Sequence, residues 1–136
     1  MLRRAYSAFS LSALLLLVVT SFAQSPGSDR PRPKVVVLDN AGKDYLLVLG
    51  GPPETVTMKS GLVVLAPGKS VGKHTTGQHE ELLIILSGKG EMTFGDGSKL
   101  PVEATHALYC PPETEHNVTN TGTGELRYVY VVAATR

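Results

Sequence analysis

Four side chains in this sequence are of the types that hold a metal ion: His74, His79, Glu81 and His116. Three lie in GKSVGKHTTGQHEELLIILSG, residues 68–88, and the fourth in PPETEHNVTN, residues 111–120. Imidazole nitrogen with carboxylate oxygen suits a first-row divalent ion such as Mn, Fe, Co, Ni or Zn. Glu81 has a second use, because a carboxylate released from such an ion can act as a base, which makes it the candidate catalytic group. His79 precedes Glu81 by two residues, so on an extended chain both face the same way, and His79 is a candidate fourth ligand. Glu80 then points to the opposite face and forms no acid–base pair with Glu81. The sequence has no nucleophile triad, no phosphate-binding loop and no internal repeat.

These residues need strands to position them. From residue 35 the chain is a series of short β-type runs separated by Gly and Pro. The runs are 35–38, 45–49, 56–59, 62–66, 81–86, 91–94, 99–102, 107–110, 115–119 and 126–132. No stretch after the first 23 residues has helical periodicity, and many short strands at near-regular spacing predict an all-β sandwich or barrel. The run 81–86 carries Glu81, Leu83 and Ile85 on one face and Leu82, Ile84 and Leu86 on the other. A strand that is apolar on both faces needs cover on its outer side. Either the N-terminal strands 35–49 or a second subunit provides it, and a homodimer is expected.

Residues 1–23 read as a cleavable leader. Arg3 and Arg4 precede an apolar core at 11–19, and Ser21 and Ala23 fit a cleavage site before Gln24. The apolar core is too short to span a bilayer, so no stable membrane anchor is expected after cleavage. The predicted destination is secreted or periplasmic. Residues 24–34, QSPGSDRPRPK, read as a flexible lead-in, and 35–136 as one domain. Of thirteen basic residues, Arg3 and Arg4 leave with the leader, so eleven remain against twelve acidic ones. A charge so near zero argues against nucleic acid as a partner. The single cysteine, Cys110, allows no internal disulfide and reads as a buried apolar residue.

The two segments together resemble the two motifs of the cupins. Gly68, His74, Thr76, Glu81 and Gly88 keep every spacing of the first motif, and Thr105, Pro111, Glu113, His116 and Asn120 keep every spacing of the second. The resemblance covers roughly residues 55–133. It implies a double-stranded β-helix, or jelly-roll, barrel, with His74, Glu81 and His116 as metal ligands. Thr76 stands where the family's second histidine stands, and Thr105 and Glu113 stand where the family has glycines. The expected function is binding of a divalent metal in the barrel together with binding of, or action on, a small organic molecule. Dioxygenases, isomerases, epimerases and decarboxylases are among the activities the resemblance implies. A non-enzymatic small-ligand binding or sensing module is the other expectation. Met92, Phe94, Leu83 and Tyr128 are the candidates for a partly apolar cavity wall.

Overall fold

The computed structural model describes residues 30–135, so the expected leader and residues 24–29 lie outside the described residues. Nine strands follow in chain order: β1 Tyr45–Gly50, β2 Lys59–Leu65, β3 His74–Thr75, β4 His79–Ser87, β5 Lys89–Phe94, β6 Lys99–Glu103, β7 Ala107–Cys110, β8 Glu115–Asn120 and β9 Leu126–Ala134. They form two antiparallel sheets, ordered β1-β2-β9-β4-β7 and β3-β8-β5-β6. The protein is all-β, a jelly-roll sandwich. Among the described residues no helix is long and apolar enough to cross a membrane.

Side-chain alternation builds the core. Along β4, Glu81, Leu83 and Ile85 are buried while Glu80, Leu82, Ile84 and Leu86 are exposed. The buried set meets Val63 and Leu65 of β2, Leu108 and Cys110 of β7, and Leu126 and Tyr128 of β9. Met92, Val102 and Val118 close the same cluster from the facing sheet. Cys110 is fully buried, as its apolar surroundings in the sequence predict.

Two expected strands are absent. Residues 35–38 have no regular structure, and Val35 and Val37 are well exposed. β-branched residues favour a strand only where a neighbouring edge and a packed face are offered. Residues 56–58 follow the turn after Pro52-Pro53, and only Lys59 of that run joins a strand, as the first residue of β2. Lys34 forms an ion pair with Glu54, so the end of the expected lead-in lies against this turn.

The cover expected over β4 is also partial. On the outer side of the first sheet Leu62 and Val64 are buried, and Arg127 donates to Asn40 Oδ1 at 3.0 Å, so the N-terminal segment reaches over β2 and β9. It leaves Leu82, Ile84 and Leu86 between 38 and 43 % exposed.

Candidate metal centre

His74 and His116 are paired directly across β3 and β8, with ring centroids 4.3 Å apart in an edge-on arrangement. Glu81 comes from β4 in the opposite sheet, so the three side chains meet between the sheets. One donor atom from each of the three lies within 4.8 Å of the others. Glu81 and His116 are buried, and His74 is exposed. Among the described residues this is the one such group of His, Cys, Asp and Glu donors.

The histidines are held in one orientation from behind. His116 Nδ1 lies 3.1 Å from the Thr114 carbonyl, and His74 Nδ1 lies 2.9 Å from the Gly72 carbonyl. A carbonyl only accepts, so each Nδ1 carries the proton and each Nε2 is the nitrogen left for a ligand. His116 Nε2 lies 3.0 Å from Glu81 Oε2. That contact needs one proton between the two atoms. Burial lowers the affinity of His116 for this proton, but the hydrogen bond to Glu81, the Thr114 carbonyl and the Glu81 charge outweigh it, and the net pKa is raised above 6.5. Burying the Glu81 carboxylate would be costly without such a partner. The donor set therefore fits a divalent cation, which would take the place of the shared proton.

Cys110 Sγ is 3.6 Å from His116 Nδ1. Burial, and then the charge of Glu81, raise the pKa of this thiol, so it stays protonated behind the ring. Thr76 does not aim at the centre as a donor. Its hydroxyl donates to the Pro111 carbonyl at 2.9 Å and accepts from the Thr114 amide at 3.0 Å.

His79 lines the same cavity as the three donors but does not join their group. It opens β4 two residues before Glu81, on the same face. Two residues of strand advance the chain by about 6.5 Å, which is enough to carry the ring past the donor cluster. The fourth histidine, His106, is exposed and makes its contacts with Glu103.

The cavity beside the cluster has a volume of about 470 Å³, within the range of small-molecule sites. Its apolar wall is made by Val63, Val71, Val118, Val132 and Tyr128. Leu83 and Met92, expected in this wall, are fully buried core residues, and Phe94 packs against the same core. They do not line the cavity, although each is directly opposite a residue that does: Leu83 opposite Tyr130, Met92 opposite Val118 and Phe94 opposite His116. Three further residues line the cavity: Lys59, and Tyr45 and Tyr130, whose hydroxyls meet. The parity of β2 carries the signal for Lys59, which shares a face with Val63 and Leu65, but Gly61 interrupts the pattern.

Comparison with known proteins accords with this architecture. The family model described as a cupin domain matches residues 61–132, more than half of the chain. No curated protein matches. Among solved structures, a cupin 2 conserved barrel domain protein from Salinispora arenicola is 24 % identical with a TM-score of 0.64, over 76 % of this chain and 91 % of that one. A protein from Bacillus halodurans is 23 % identical with a TM-score of 0.65, over 78 % and 84 %. The cupin domain of Cnp3 from Schizosaccharomyces pombe is 18 % identical with a TM-score of 0.61, over 67 % of this chain, which spans only 64 % of that one. Identities this low establish the fold alone. The family match, the two-sheet jelly roll and the motif residues gathered between its sheets agree: the chain belongs to the cupin domain family.

Proposed function

We propose that this protein binds one divalent first-row transition ion through His74, Glu81 and His116, and that the adjoining cavity binds or transforms a small organic molecule. The observation that carries the reading is the pair of backbone carbonyls, at Gly72 and Thr114, which hold both histidine Nδ1 atoms and leave both Nε2 atoms for a ligand. When bound, such an ion would supply Lewis-acid polarisation of a ligand oxygen. Nitrogen and oxygen donors leave Mn, Fe, Co, Ni and Zn as the ions to test. His74 and His116 orient the site, and Glu81 is the group placed to take up or release a proton. A non-enzymatic binding or sensing role uses the same residues and differs only in lacking turnover.

The reading is tested by metal content. The protein should hold close to one ion per chain, and His74→Ala, Glu81→Gln and His116→Ala should each lose it. Affinity should rise with pH, because His116 keeps its proton to a higher pH than an ordinary imidazole and the ion must displace it. Wild type that folds and binds none of the five ions would rule the reading out.

The leader pattern supports a secreted or periplasmic location, free of membrane and nucleic acid. The mature protein recovered from its host should begin at Gln24 on N-terminal sequencing and be found outside the cytoplasm, and a cell-retained protein that keeps Met1 would contradict export.

A further inference from the structure

We propose that the cavity takes a small organic acid, its carboxylate held by Lys59 and the Tyr45–Tyr130 hydroxyl pair, its carbon body against the valine wall and its far end at the His74–Glu81–His116 cluster. Only that far end rests on the reading of the cluster as a cation site.

The sheet register sets the spacing. Lys59 is directly opposite Val132, and Val132 is directly opposite Glu81, so the three form one row across β2, β9 and β4. Opposed residues share a face of the sheet. Lys59 and Glu81 are thus two strand spacings apart, about 10 Å between Cα atoms, with the apolar Val132 between them. All three line the cavity. The row is polar at both ends and apolar in the middle, with opposite charges at its ends.

Lys59 is available to a ligand. Among the described residues no carboxylate lies within ion-pair distance of its ammonium group. Its stem runs so close to Gly51 that a Cβ there would meet Cε at 2.8 Å, which places the stem rather than leaving it loose.

The tyrosines add a donor. Their hydroxyls are 2.9 Å apart and the rings stack, with centroids at 6.5 Å. This packing needs Gly61, because a Cβ at that position would lie 2.7 Å from both rings. Two hydroxyls carry two protons, and one of these bridges the pair. The other has no acceptor among the described residues and is free for an anionic oxygen. Burial, then the Tyr45 contact and the charge of Glu81, hold the Tyr130 pKa above its ordinary value, so this hydroxyl stays a donor.

The test is calorimetric titration of the full protein with butyrate, benzoate and succinate, and with the corresponding neutral amides. At least one acid should bind saturably and about tenfold or more tightly than its amide. Lys59→Met, which keeps the packed stem, should weaken that binding about tenfold, and Lys59→Arg should restore most of it. Tyr45→Phe should weaken it several-fold. Metal content, measured alongside, should be unchanged in all three variants. No saturable binding by any acid, equal binding of acid and amide, or wild-type affinity in Lys59→Met would each overturn the proposal. Lys59-dependent binding by protein that holds no metal would uphold it and remove the cation reading instead.

Discussion

Thr76 has the clearest consequence at the scale of a single residue. By spacing it stands at a ligand position, and in the structure it holds the segment that carries His116. Its hydroxyl ties Pro111 O and Thr114 N, and the carbonyl of the same Thr114 fixes His116 Nδ1. Thr76 therefore positions His116 without itself joining the cluster. Thr76→Val removes both hydrogen bonds and should cost about 1–3 kcal/mol of stability. It should also weaken cation binding about tenfold, as loss of a supporting contact does at metal sites. Thr76→Ser should restore both, measured by denaturant unfolding and metal titration. Unchanged metal affinity in a folded Thr76→Val would remove the positioning role. The grouping of His74, Glu81 and His116 was legible in the sequence because the motif spacing puts these donors on facing strands. His79 was legible only as a face, since alternation gives the side of a strand and not the height at which a ring ends. Lys59 and the tyrosine pair were not legible as a group, because only the pairing of β1, β2 and β9 brings them together.

At the scale of elements, the turns keep a conformation that their residues disfavour. Thr105 has φ of 73° and Glu113 has φ of 55°, at the two positions where the family motif has glycine. The left-handed region is a true outlier for a β-branched residue. It is held here by hydrogen bonds from Thr105 N to Ile85 O at 3.0 Å and from Glu113 N to Gly77 O at 2.8 Å. Relief of strain at such a position is worth about 1–3 kcal/mol, offset in part by the greater chain entropy of glycine. Thr105→Gly should therefore raise unfolding stability by about 1 kcal/mol, measured by denaturant titration, and a loss of stability would contradict this account. β7 was read from the sequence to the residue, whereas β4, apolar on both faces, was read as 81–86 and runs from His79 to Ser87. Residues 35–38 could not, because their composition favours a strand whether or not an edge is near. β3 has only two residues, too few to show a period.

At the scale of the molecule, the outer face of β4 and β7 is the unexplained surface. Leu82, Ile84, Leu86 and Tyr109 are exposed there, beside the half-buried Val129 and Val131. β7 is also the free edge of its sheet. A contiguous apolar face of this kind favours association, and a second copy offering the same face would close a two-fold dimer. We infer that the protein is a homodimer through this face. Leu82→Glu with Ile84→Glu should convert dimer to monomer in sedimentation without loss of metal, since both side chains face away from the cluster. A wild type that sediments as a monomer would contradict the dimer.

The same scale gives the cluster its wider role, for His74 and His116 belong to one sheet and Glu81 to the other. An ion held by all three would tie the sheets together and stabilise the fold by mass action, by about 2.7 kcal/mol at a hundred times its dissociation constant. The most direct test is metal analysis of the purified wild-type protein beside His116→Ala. The account predicts close to one divalent ion per wild-type chain and none in the variant. Equal metal in both proteins, or a folded wild type that takes up none, would contradict it.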